Sequence, residues 1–246
     1  RQAAEWYRRA AVQGFAPAQY NLGICCERGL GLRASLPEAA VWYERAADQD
    51  YPEAQYSLGN LLMRGDGVVK NPARAATLFR ASAEQGYVPA ISNLGQCYLD
   101  GHGVAQDPAE AARLFRVAAD QGYSPAAYYL GECYRNGLGV AQDAAEAVRW
   151  YRVGAQNGYG PARINLAYAL MTGQGTAPDA AEAAAWYRKS AEQGETDGMR
   201  NYGLCLLRGD GVPADAAQAA LWLQRAAERN DPEARALLQQ LRQGRE

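Results

Sequence analysis

Residues 125–158 read PAAYYLGECYRNGLGVAQDAAEAVRWYRVGAQNG, and this stretch decides the fold. On a helical wheel centred on Leu130, the side chains of Ala126, Cys133 and Tyr134 fall within about 60° of the centre, which is one face of an α-helix. The paired glycines Gly137 and Gly139 then stop that helix. Asp143 has a side-chain oxygen able to accept an orphan backbone N–H, so it reads as the N-cap of a second helix. Glu146, three residues on, completes a capping-box pattern. Ala147, Trp150, Tyr151 and Ala155 carry the second helix to Gly158, where a left-handed residue can satisfy the last carbonyls.

The same pattern recurs along the chain with a spacing of 36 residues. Trp6, Trp42, Leu78, Leu114, Trp150, Trp186 and Trp222 form one series, and Leu22, Leu58, Leu94, Leu130, Leu166 and Tyr202 a second. A third series of Gly23, Gly59, Gly95, Gly131, Ala167 and Gly203 follows the second by one residue. Ser35, Asn71, Asp107, Asp143, Asp179 and Asp215 occupy the N-cap register, and Glu38, Glu110, Glu146, Glu182 and Gln218 complete the capping box in five of six units. Gly14, Gly86, Gly122, Gly158 and Gly194 end the second helices, with Asp50 and Asn230 replacing glycine twice.

An uninterrupted period of this length predicts an all-α superhelix of about seven stacked helix pairs, a single solenoid domain over residues 1–246 with a polar C-terminal cap over 231–246. In the second helix Ala111, Leu114, Phe115, Ala118 and Ala119 make one wide apolar face, with small residues setting a close helix approach. Trp150 is expected in the shared core.

The string from Pro125-Ala126 through Leu130-Gly131, Tyr134, Gly137-x-Gly139-Val140, Asp143, Ala147 and Trp150-Tyr151 to Ala155-x-x-Gly158 resembles the Sel1-like repeat, a relative of the tetratricopeptide repeat. The resemblance covers essentially the whole chain. It implies an adaptor in signalling, protein quality control or bacterial envelope processes, with the first helix of each pair lining a concave surface. The cysteine pairs that staple each repeat in some bacterial relatives are absent.

Composition agrees with a well-packed helical chain: 48% of the 246 residues are hydrophobic and 21% charged. A formal charge of −2 concentrates neither nucleic acid nor anionic lipid. No apolar run reaches the roughly 18 residues of a membrane span. The start at Arg1, in mid-pattern, is expected to reflect processing or truncation, with further repeats or a leader preceding it. The compartment stays open between a bacterial periplasm or envelope and the cytoplasm.

Chemistry finds little support. His102 is the sole histidine and sits at a variable loop tip between Gly101 and Gly103, and catalysis or metal binding needs convergent partners. The repeated G-x-G follows a helix where a phosphate loop follows a strand. Cys25, Cys97, Cys133 and Cys205 share a register that holds Leu61 and Ala169 elsewhere, which predicts buried free thiols, with Cys26 beside them. Arg80/Glu84, Arg116/Asp120 and Arg188/Glu192 are spaced as exposed helix-surface pairs. The sequence therefore calls for no enzyme activity, no cofactor and no metal, and a small-molecule ligand is disfavoured.

The far side of the first helix is not polar as a solvated face should be. The register of Tyr128 also holds Tyr20, Tyr56 and Ile164; that of Glu132 holds Ile24, Tyr168 and Leu204; that of Arg135 holds Met63, Leu99, Met171 and Leu207. Asn21, Asn93, Asn165 and Asn201 run between them as a ladder of amides. Tyr20, Asn21, Tyr56, Asn93, Tyr128, Tyr129, Glu132, Arg135, Asn165, Tyr168, Arg200 and Asn201 are accordingly the expected partner-binding residues. The competing reading is that these side chains pack on the neighbouring first helix. Charges on the row are mixed. Two functions stay open: a scaffold gripping another protein or peptide, with an effector inhibitor or immunity protein as a subtype, and recognition of envelope glycan or peptidoglycan fragments.

Overall fold

The computed structural model describes residues 2–243, with side chains through residue 241. Arg1, residues 244–246 and the side chains of the polar stretch Arg242-Gln243 lie outside the described part. Among the described residues there are fourteen α-helices and no strand. Two compact units divide them.

The N-terminal unit, Arg1–Gln121, holds α1 (Gln2–Val12), α2 (Ala16–Arg28), α3 (Leu36–Ala47), α4 (Pro52–Arg64), α5 (Pro72–Glu84), α6 (Val88–Asp100) and α7 (Pro108–Asp120). The C-terminal unit, Gly122–Glu246, holds α8 (Ser124–Asn136), α9 (Ala144–Gln156), α10 (Gly160–Thr172), α11 (Ala180–Glu192), α12 (Thr196–Arg208), α13 (Ala216–Glu228) and α14 (Pro232–Gln243). Within each unit every helix packs on the next. This is the all-α solenoid architecture that the period predicts. Even-numbered helices are the first helices of the sequence pattern and odd-numbered ones the second.

The caps form as read, with one correction. All six N-cap side chains, from Ser35 to Asp215, accept the backbone N–H three residues on; Asp143 Oδ1 also accepts from Ala145, at 2.9 Å. The reciprocal half of the capping box does not form. The N–H of Asp143 donates to the Tyr134 carbonyl at 2.9 Å, and the other five N-cap amides likewise donate to the preceding first helix. With that donor already satisfied, the glutamates turn to arginine: Glu110 to Arg113, Glu146 to Arg149, Glu182 to Arg152. First helices end on left-handed glycines such as Gly137 (φ 69°), and second helices on a left-handed residue that is Asp50 or Asn230 in two places.

The core contains a second correction. Trp42, Trp150, Trp186 and Trp222, which mark the period, are half-buried, and Trp6 is 67% exposed. The plug is the next residue: Tyr43, Phe79, Phe115, Tyr151, Tyr187 and Leu223 are all buried. Each except Tyr187 lies against a glycine of the preceding first helix; a Cβ on Gly131 would stand 2.6 Å from the Tyr151 ring. Trp6, Trp42, Trp186 and Trp222 instead lie under a cation, as Trp42 does with the Arg45 guanidinium 4.5 Å from its ring centre. All five cysteines are buried and free. Burial pushes the Cys97, Cys133 and Cys205 thiols up to about 11.

Of the three expected surface pairs, Arg188–Glu192 forms at 2.8 Å, whereas Arg80 donates to the Tyr98 hydroxyl at 3.1 Å. α14 begins with Asp231 accepting from the Ala234 amide and packs Leu237, Leu238 and Leu241 on the core of its unit.

Candidate functional site

In the N-terminal unit the row of first-helix residues is largely consumed by packing. Tyr20 lies between Tyr43 and Tyr51, with ring centres 5.8 and 5.4 Å away. Tyr56 lies in the same way between Phe79, at 6.0 Å, and Tyr87, at 5.3 Å. Both tyrosines are half-buried. Asn21 donates to the Pro17 carbonyl of its own helix at 2.7 Å, and Asn93 donates to Asn60 on the neighbouring first helix at 2.8 Å. What remains open is a depression of about 280 Å³ walled by Tyr20, Tyr56 and Tyr87 and edged by Asn60, Arg28 and Arg64. Asn60 and Tyr87 escaped the sequence reading. Asn60 shares the register of Glu132, and that polarity was the available signal.

The C-terminal unit brings more of the expected residues together. Glu132, on α8, accepts from the Tyr151 hydroxyl at 2.5 Å, from Asn165 on α10 at 2.8 Å and from Arg135 at 2.5 Å. Burial, followed by that bond to Glu132, raises the Tyr151 hydroxyl well above the ordinary phenol range, so it stays a neutral donor. Around this fixed carboxylate stand Arg135 and Tyr168, both exposed; Tyr168 is 50% exposed. Arg135, Asn165, Tyr168 and Gln174 share one small pocket with Tyr151. Gln174, in the loop after α10, was not read from sequence.

Tyr128 is half-buried, with Tyr129, Tyr151 and Tyr159 at 5.3, 6.1 and 5.5 Å. Tyr129 is half-buried, as is Asn201. Arg200 is drawn away from the cluster to Asp231 at 2.5 Å and Asp197 at 2.8 Å. Tyr20, Tyr56 and Tyr128 thus pack on second-helix rings and turn tyrosines, and Arg200 is held in ion pairs. Glu132, Arg135, Asn165 and Tyr168 form a preorganised patch with a solvent-facing ring.

His102 is exposed, 3.8 Å from Asp100, and no group of three metal-ligating side chains occurs among the described residues. No described helix is long and apolar enough to cross a membrane.

Helix pairs at a constant period, close-packed through alanine and glycine and bearing fixed side chains on one helix face, define an α-solenoid repeat protein. The chain belongs to the Sel1 repeat family, which it matches at residues 1–15, 16–51, 52–87, 88–123, 124–159, 160–195 and 196–231. Among solved structures it is similar to c5321, a protective antigen of uropathogenic Escherichia coli, at 34% identity and a TM-score of 0.84. That match covers 96% of this chain and 50% of the other, so the chain spans about half the length of that relative. A Sel1 repeat protein from Oxalobacter formigenes is 31% identical with a TM-score of 0.79, over 87% of this chain and 86% of that one. Immunity protein Pa5087 from Pseudomonas aeruginosa is 25% identical with a TM-score of 0.54, covering 79% and 74% of the two chains. No curated protein matches the chain.

Proposed function

We propose that this protein is a non-catalytic scaffold that grips a segment of another protein on its first-helix face, in the manner of an adaptor or an immunity-type inhibitor. The observation that carries the reading is the patch on α8 and α10. Tyr168 stands exposed beside a carboxylate, an amide and a guanidinium already held in place, so little side-chain ordering is left to oppose binding. Exposed aromatics next to fixed polar groups are the side chains that dominate protein interfaces. The similarity to immunity protein Pa5087 supports a partner that is itself a protein. The amides of Asn93 and Asn165 are tied to neighbouring side chains, which favours a protein surface over a sugar needing free donors.

The test is affinity capture with mass spectrometry to identify the partner, followed by calorimetry on variants. Tyr168→Ala should weaken binding by about 2 kcal/mol with helical content unchanged. Tyr128→Ala should act mainly through stability, since its ring packs inside the unit. Unchanged affinity in a folded Tyr168→Ala protein would place the working surface elsewhere.

A further inference from the structure

Away from the first-helix face, the N-terminal unit contains a groove of about 690 Å³ between α3 and α5, floored by Leu58 and Leu62 of α4. One wall is the loop before α5, seated so closely on the start of α3 that a Cβ on Gly67 would stand 2.7 Å from the Leu36 backbone. The rim exposes Val41, at 50%, and Val69, at 89%, the most exposed of the large hydrophobic side chains. The combination is not repeated: the Val41 register holds Thr77, Arg113, Arg149 and Ala185 in the next four repeats, and where it is apolar again, at Leu221, the Val69 register holds no valine, since Ala105, Ala141, Ala177 and Pro213 follow there.

The charge on this rim is also reversed relative to its counterpart. Between α9 and α11 an arginine on the earlier helix, Arg152, meets Glu182 on the later one. Between α3 and α5 the pair is Glu44 with Arg74, the one N-cap-plus-three position in the chain that is cationic. Arg74 joins Lys70 and Arg45 around the groove, three cations against the single Glu44, in a chain whose formal charge is −2. The helix dipole favours an anion in the first turn of α5, so Arg74 stands there against the local preference that Glu110, Glu146 and Glu182 follow.

We infer that this groove is a second docking surface, for an acidic protein segment that anchors aliphatic side chains between Val41 and Val69 and sets carboxylates against Lys70, Arg74 and Arg45. Apolar anchors supply the affinity, and the cationic rim supplies orientation and the association rate. The surface is separate from the first-helix patch proposed above, and either can fail alone.

Fluorescence anisotropy tests it with a labelled peptide whose leucine-valine-leucine centre is flanked by aspartate and glutamate, beside lysine-flanked and serine-centred controls. The acidic peptide should bind and both controls should not, with affinity falling as salt rises. Val41→Arg combined with Lys70→Glu should weaken binding at least about tenfold. The arginine is the residue α7 and α9 already carry in that register, so folding is kept, and circular dichroism confirms it. Tyr168→Ala should leave peptide binding unchanged. Absence of binding, equal binding of the lysine-flanked peptide, or indifference to the double substitution would overturn the inference. So would sedimentation showing a dimer that Val41→Arg dissolves, because the groove would then be occupied by a second copy.

Discussion

At the junctions of the N-terminal unit the turn residue before a first helix is aromatic: Tyr51 packs at a tilt on Tyr20, and Tyr87 edge-on on Tyr56. Late in the C-terminal unit the same positions are acidic. Glu195 meets the Arg163 guanidinium at 3.1 Å, and Asp231 meets Arg200 at 2.5 Å. The first-helix partner changes with the turn residue, since the register of Tyr20 and Tyr56 holds Ile164 and then Arg200. An aromatic pair has become, in the last instance, an ion pair. One backbone junction therefore accepts two chemistries, provided that both halves are exchanged together. The aromatic version gains from dispersion and burial and tolerates loss of one ring. The ionic version at Arg163, whose side chain is only 2% exposed, depends on its partner being present.

The largest expected effect lies in the plug that both kinds of junction share. Tyr151→Ala should cost about 3–5 kcal/mol in urea unfolding, because a buried ring leaves a cavity against Gly131. Trp150→Ala, at the half-buried neighbour, should cost about 1 kcal/mol. Equal costs would mean that the tryptophan register carries the core after all.

Next comes the junction itself. Glu195→Ala leaves Arg163 buried beside Gln193 alone and should destabilise by about 3 kcal/mol. Tyr51→Ala, which removes a half-buried ring from an aromatic junction, should cost about 2 kcal/mol. A larger loss at Tyr51 would reverse the proposed ranking of the two chemistries.

The buried thiols offer a pH test common to both units. A folded-state value raised to about 11 favours the protonated thiol, so its stabilisation is present below the unfolded value near pH 9 and is lost as pH rises toward 11. Cys133 should contribute a loss of roughly 2 kcal/mol over that window, absent in Cys133→Ala. Thiol titration in native and denatured protein checks the same point: slow labelling in the first, fast in the second.

The period, the N-caps and the glycine stops were legible because each is a local chemical requirement repeated at fixed spacing. The plug was read one residue early. Residues 150 and 151 are 100° apart on the helix, both border the apolar face, and only the approach of a glycine on another helix decides between them. The failed capping box has the same origin, since Asp143 gives its N–H to Tyr134 across the preceding loop. At the candidate site, the first-helix row was legible as a set of registers. Its division into packed and presented residues was not, because Tyr20 is covered by Tyr43 and Tyr51 from two other elements, contacts that the register alone does not give. The exchange is visible in the sequence as a break in the 36-residue series Phe15, Tyr51, Tyr87, Tyr123 and Tyr159 at Glu195 and Asp231, but the spacing does not give the contacts it changes.

The smallest expected effect is the sharpest test of the comparison. Gln55 accepts from Gln85 at 3.0 Å at an aromatic junction, where Arg163 donates to Gln193 at the ionic one. Arg163→Gln with Glu195→Tyr therefore installs the amide pair and the turn ring of the N-terminal unit in the C-terminal unit, with Ile164 in the place of Tyr56. The helix start facing Glu195 is Gly160, where an added Cβ would overlap the carboxylate, so the glycine is what lets a side chain at 195 lie there. Removing both charges together leaves no buried charge without its partner, which is the main cost of removing one alone. The double variant should lie within about 1 kcal/mol of the native protein, although Glu195→Ala alone loses about 3. Urea midpoints for the native protein, the single and the double decide it. If the double variant is as unstable as the single, the two junctions are not interchangeable, and Arg163 holds the turn by geometry that no ring reproduces.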